Sequence, residues 1–202
     1  MAIITRSISA VTLPSSLMTA FPLALRHDVK CVEAYLQGDK LTHHGLSLVV
    51  QGESLNIPYR IYHSHSEALF AQLNETQAVI YSCILTRNHD GHVRERQIER
   101  LGSLSLPWVI PFIFQLCGEY VVEILNAVEA HVRSMNENAY RTFLLENPLF
   151  YQKTRDRMIS YWDCYYRWLY KRKVDYVGYR LFDQFQEWLS APIADGTKFR
   201  QP

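Results

Sequence analysis

Leu25, Val29, Val32 and Leu36 recur at intervals of four, three and four, and Gly38 follows as a stop. Residues 22–37 are therefore expected to form an amphipathic helix with one face in a core. The stretch LSLVVQGESLNIPYRIYH, residues 46–63, switches to alternation. Leu55, Ile57, Tyr59 and Ile61 fall on one side and Gly52 marks a turn, which is the pattern of a β-hairpin. Pro58 lacks a backbone N–H and so assigns the second strand to an edge. Two strands alone are marginal in water, so this hairpin requires helices packed against it.

From Asn74 the helical period returns. Asn74 with Gln77 three residues later forms a variant of the capping box for a helix reaching Thr86. A second helix follows over residues 92–101, with Gly102 behind it. Pro107 and Pro111 lie in or near the first turn of an apolar run over 108–116, and Gly118 separates that run from an amphipathic helix over 119–132. These segments make two helical hairpins in tandem. Residues 134–146 are polar enough to serve as a connection. Asn147 and Pro148 offer a cap and first turn for a long helix beginning at Leu149. Val174, Val177, Leu181, Phe185 and Trp188 continue the helical spacing after a break near Lys173, with Gly178 as a weak point.

The expected fold class is mainly α: helical hairpins, a small β-hairpin and a long aromatic C-terminal helical segment. No low-complexity tract or long linker divides the chain, so residues 1–202 read as a single domain. Its parts are an N-terminal helix plus hairpin (1–73), paired helical hairpins (74–132) and C-terminal helices (147–190).

Composition narrows the function classes. Hydrophobic residues are 48% and charged residues 20%, which favours a packed fold over disorder. The net charge of +1 supplies no global field toward nucleic acid or membrane. That average hides a split: residues 1–148 carry 11 Lys/Arg against 14 Asp/Glu, or −3, and residues 149–202 carry 10 against 6, or +4. Cys31, Cys83, Cys117 and Cys164 stand singly in apolar patterns, as reduced core thiols of a cytoplasmic protein would. Pro14, Pro22 and intervening polar residues interrupt the mildly apolar first 25 residues, so neither a leader peptide nor a membrane span is expected.

The charged stretch LTRNHDGHVRERQIERLG, residues 85–102, invites a catalytic reading, with His89 or His92 as base and Asp90 as orienter. Neighbours at a helix start do not aim at one another, and a helix corner explains the same residues. Arg94, Glu95, Arg96, Glu99 and Arg100 then form a solvated face with ion pairs one turn apart. Asp90, Gly91, His92, Val93 and Arg94, followed by Leu101 and Gly102, resemble the turn and second helix of a HEAT repeat over about residues 74–132. The resemblance implies a helical protein-binding scaffold in which Asp90 caps the helix, Val93 and Leu101 face the core, and Arg94 pairs with acidic groups near the turn.

His43, His44, His63 and His65 flank the hairpin, where its turn sets the first pair opposite the second. Imidazoles so placed suit zinc, nickel or copper, but no cysteine or carboxylate completes a ligand spacing. Polar histidines at the hairpin base are the preferred reading. Glu119, Glu123 and Asn126 share one face of the expected helix, as a solvated pair of carboxylates does. No Gly-rich phosphate loop, nucleophile elbow or H-E-x-x-H pattern occurs. No cofactor is therefore expected, and an enzymatic role has no support.

The departure from an ordinary pattern lies in ISYWDCYYRWLYKRKVDYVGYRLFDQFQEW. Residues 161–188 hold 11 of the 26 aromatic residues, interleaved with Arg167, Lys171, Arg172, Lys173 and Arg180. Met158, Trp162, Tyr165 and Leu169 form one stripe at helical spacing, and Tyr161, Cys164 and Trp168 another. Such a segment is buried on two sides or exposes an adhesive face. Three readings stay open. The aromatics are core; or Tyr165, Arg167 and Trp168, with Lys171, Arg172 and Lys173, anchor another protein; or the same residues stack and neutralise a single-stranded nucleic acid. Protein binding without catalysis is the favoured expectation, with nucleic acid as the alternative. A homo-oligomer is compatible with it.

Overall fold

The computed structural model describes residues 17–36, 40–41 and 45–191. The mainly helical expectation is met, with a two-stranded antiparallel hairpin and an aromatic cluster in the C-terminal helices. A 3-10 turn, Leu23–Leu25, leads into α1, Arg26–Glu33, whose Val29 and Val32 are buried. Strands β1, Lys40–Leu41, and β4, Ile61–Tyr62, pair antiparallel outside the main hairpin. The hairpin itself is β2, Gly45–Val50, and β3, Glu53–Pro58. Gln51 and Gly52 both adopt positive φ, at 51° and 83°. Two consecutive left-handed residues give the tight turn whose twist matches that of the strands. Leu48, Val50, Leu55 and Ile57 are buried, so the alternating face is the core face.

Helix α2, Glu75–Leu85, opens on the expected capping box: Asn74 Oδ1 accepts from the Gln77 N–H at 2.9 Å, and Gln77 Oε1 accepts from the Asn74 N–H at 3.3 Å. Helix α3, Gly91–Leu101, is capped by Asp90, whose carboxylate accepts from the His92 N–H at 2.9 Å. Val93 and Leu101 are core residues. The second pair is α4, Ile110–Leu116, and α5, Val122–His131. Every residue of α4 is buried, which makes it the centre around which the other helices pack. A hydrophobic core runs from Leu17 to Trp188, and among the described residues no helix is long and apolar enough to cross a membrane.

Three local expectations need correction. Residues 137–146 are helical, as α6, Glu137–Glu146, with Asn136 Oδ1 accepting from the Ala139 N–H. Tyr140, Phe143 and Leu144 give it a buried stripe that its polar first turn obscures. Asn147 makes no side-chain cap for α7, Pro148–Tyr161. Its amide instead accepts from the Val49 N–H and donates to the Val49 carbonyl, both at 2.7 Å, and also donates to the Phe143 carbonyl at 2.9 Å. Asn147 thereby pins the hairpin to α6. The last helix, α8, Val177–Ser190, carries Gly178 in its first turn, and this is no weak point: a Cβ there would lie 2.6 Å from both Met158 and Tyr176. The glycine lets α8 approach α7.

Candidate functional site

Helix α7 does not continue at α-helical pitch. Residues Trp162–Tyr166 form a π-helical turn, closed by the Arg167 N–H donating to the Trp162 carbonyl at 2.8 Å. The wider turn rotates every following side chain away from the stripe that an unbroken helix would build. Met158 and Trp162 are therefore core, whereas Tyr165 and Leu169 of the same sequence stripe face solvent. The chain then reverses through a 3-10 turn, Lys173–Asp175, into α8. We call residues 162–176 the knuckle.

Its inner side is locked. Trp162 packs edge-on against Tyr179 at 5.2 Å and donates its indole N–H to the Tyr170 carbonyl at 3.0 Å. Tyr166 stacks on buried Tyr176 at 5.5 Å and donates its hydroxyl to the Tyr120 carbonyl at 2.8 Å. Phe182, Phe185 and Trp188 are also core. Its outer side carries Trp168, 76% exposed, with Tyr165, Leu169 and Val174 each more than half exposed. The Trp168 indole N–H donates to the Tyr165 carbonyl at 2.9 Å, so this large ring is held against the knuckle while its faces stay open to solvent. Tyr165 also lines a cavity of about 540 Å³ with Tyr120, Tyr161 and Tyr166.

All six residues singled out in the sequence, Tyr165, Arg167, Trp168, Lys171, Arg172 and Lys173, are exposed and fall on this one segment. Their charges are partly cancelled. Arg167 pairs with Asp163 at 2.7 Å, and Arg172 holds Asp175 through two bonds of 2.6 and 2.8 Å. Four cations and two carboxylates leave +2 on the knuckle. Of the four knuckle cations, Lys171 and Lys173 have no carboxylate partner among the described residues, and the Lys173 ammonium lies 5.3 Å from the Tyr179 ring centre.

The opening stretch places no catalytic group against another. His89 and Asp90 are exposed, and His92 is 88% exposed. Arg96 and Arg100 reach Glu67 instead of a partner one turn away. Of the four histidines, His43 and His44 lie outside the described residues. His63 is buried beside Asn88, and His65 contacts Arg96 at 2.9 Å. No group of three or more His, Cys, Asp or Glu side chains suited to a metal occurs among the described residues.

A second feature was not expected. Helix α5 begins at Val122, so Glu119 sits in the turn before it, and Glu119 is buried where a solvated carboxylate was anticipated. Arg94 likewise is buried at 1% exposure and not part of a solvated face. Local backbone pairing builds their surroundings. The Ile61 N–H donates to the Arg87 carbonyl and the His89 N–H to the Ile61 carbonyl, which docks β4 on the α2–α3 corner and brings Arg60 beside Arg87. Arg94 donates from Nη1 to the carbonyls of Asn88 and His89, both at 2.9 Å.

Glu119 then meets three guanidinium groups, from Arg60 at 2.6 Å, Arg94 at 3.6 Å and Arg87 at 3.7 Å. Burial works to raise the Glu119 pKa, but the Arg60 hydrogen bond and the three positive charges outweigh it and hold the carboxyl below its ordinary range. Arg87 is pushed down to about 9 by burial and by the charges of Arg60, Arg94 and Arg157, against the pull of Glu119. It remains a cation at neutral pH. No single segment of sequence signals this cluster, because its members come from four places in the chain.

No family model, no curated protein and no solved structure matches this chain.

Proposed function

We propose that the protein is a non-enzymatic interaction module that binds another protein through the knuckle, and that it does so in the cytoplasm. The observation that carries this reading is Trp168, 76% exposed yet fixed by its indole hydrogen bond. Large aromatic anchors dominate interface energetics, and one already held in place loses little freedom on binding. Tyr165, Leu169 and Val174 supply an apolar surround, and Arg167 and Arg172 a polar rim of the kind interfaces use. Four free thiols accord with a reducing compartment.

Single-stranded nucleic acid is the competing reading, since the same rings offer stacking platforms. It is disfavoured because Asp163 and Asp175 already neutralise two of the four cations that would track phosphates. A salt titration with a short single-stranded oligonucleotide separates the two. Protein binding predicts no saturable oligonucleotide affinity at physiological salt. Tight binding that falls steeply with salt, and vanishes when Lys171, Arg172 and Lys173 are changed to Ala, would make nucleic acid the function.

A further inference from the structure

Among the described residues, the cavity of about 540 Å³ at the edge of the knuckle is lined by tyrosines alone. Tyr120 comes from the turn before α5, Tyr161 from the end of α7, and Tyr165 and Tyr166 from the π-helical turn. Tyr161 stands between two neighbours, its ring centre 6.0 Å from that of Tyr120 and 6.2 Å from that of Tyr165. Tyr166 stacks on Tyr176 and donates its hydroxyl to the Tyr120 carbonyl at 2.8 Å, so one wall is fixed before anything binds. The hydroxyls of Tyr120, Tyr161 and Tyr165 make no hydrogen bond to another described residue. The cavity therefore offers aromatic rings and free O–H groups, and its lining holds no carboxylate, amide or cation.

We propose, resting on the reading that the knuckle holds a protein, that this cavity takes a proline-rich segment of the partner in the polyproline II conformation, flanked by acidic residues. Aromatic-lined grooves suit such a segment, because proline rings pack against the aromatic side chains and the helix arrives preformed, with little freedom left to lose. Its carbonyls supply the acceptors. Proline has no N–H and this helix makes no internal hydrogen bonds, so the carbonyls stay open to the tyrosine hydroxyls. The acidic flanks follow from Lys171 and Lys173, the knuckle cations without a carboxylate partner among the described residues. Two other occupants fit less well. A methylated ammonium would be drawn to the rings. It would meet no carboxylate there, beside a knuckle of net charge +2 and with Arg60 and Arg94 close enough for Tyr161 and Tyr120 to act on their charges. A sugar would also stack on the rings, but its many hydroxyls need amide and carboxylate partners that this lining lacks.

The test is isothermal titration of the purified full chain with three synthetic peptides of equal length. One carries about eight prolines between acidic pairs, the second the same flanks around a Gly-Ser core, and the third a trimethyllysine in a neutral core. One saturable site is expected for the proline peptide, with Kd on the order of 100 μM and at least roughly tenfold tighter than for either other peptide. Tyr165→Ala should weaken it at least roughly tenfold with an unchanged urea midpoint, because that side chain is 58% exposed. Changing Lys171 and Lys173 together to Ala should remove the advantage of acidic over neutral flanks around the same prolines. No saturable binding up to about 2 mM, equal binding of the Gly-Ser peptide, tighter binding of the trimethyllysine peptide, or full affinity in Tyr165→Ala would each overturn the proposal. The peptide comparison on the native chain decides even where a variant does not fold. It also needs no native partner, so its failure leaves a Trp168-dependent partner standing, and loss of that partner leaves proline binding at the cavity standing.

Discussion

Trp162 and Trp168 lie six residues apart on one continuous segment, and truncating them should have opposite consequences. Trp168→Ala removes a side chain that is 76% exposed. A fully buried tryptophan covers about 150–250 Å², so roughly a quarter of that, about 50 Å², is at stake here. At ~25 cal/mol per Å² the loss is about 1 kcal/mol, with little added for a solvent-accessible N–H bond to Tyr165. Trp162→Ala removes a side chain that is 7% exposed, packed on Tyr179 and bonded to the Tyr170 carbonyl. Buried Trp→Ala changes cost about 3–5 kcal/mol, and the orphaned carbonyl adds to that. Urea denaturation of both variants beside the parent reads the difference, with equal slopes confirming a comparable transition. Equal losses for the two would refute the assignment of one ring to the core and the other to the surface, and with it the π-helical turn that separates them.

Glu119→Ala should destabilise by about 3–5 kcal/mol, since it strands buried guanidinium charges. Because the Glu119 pKa is lowered on folding, its contribution is present above the ordinary carboxyl pKa of about 4.3 and is lost as pH falls through the folded value. Melts at decreasing pH should show a loss in the parent that Glu119→Gln lacks. Thiol labelling followed by mass measurement should find Cys164 fast, Cys31 slower, and Cys83 and Cys117 protected until unfolding, because the first is exposed, the second partly covered and the last two buried. Simultaneous labelling of all four would contradict the packing. Val93→Asp should unfold the chain, whereas Asp90→Ala should cost only a cap, about 1 kcal/mol; a melt in which the two match would remove the helix-corner assignment.

Where short-range periodicity and side-chain capping act alone, sequence and structure agree. The hairpin with its turn at Gly52, the Asn74–Gln77 cap and the Asp90 corner all depend on residues within a few positions of each other. What escaped depends on distant partners. Asn147 looks like a helix cap until Val49, 98 residues earlier, offers it a complete backbone pair. Glu119 looks solvated until residues 60, 87 and 94 converge on it. The apolar neighbours of Cys164 predict a core thiol, but it lies in the π-helical turn and is exposed. The six candidate interface residues were legible as an anomaly of composition. Which aromatics face outward was not, because a single wide turn decides it and that turn is set by the packing of Trp162 and Tyr166 against later residues.

Whether the knuckle holds a protein partner is decided by isolating tagged parent and Trp168→Ala chains in parallel from native cells, with nuclease treatment, and quantifying what accompanies each. Loss of an anchoring tryptophan costs at least ~2 kcal/mol, roughly thirtyfold in affinity. A protein should be recovered in near-stoichiometric amount with the parent, insensitive to nuclease and strongly depleted with Trp168→Ala, although that variant remains folded. Equal recovery with both chains, or recovered material that nuclease releases, would contradict it.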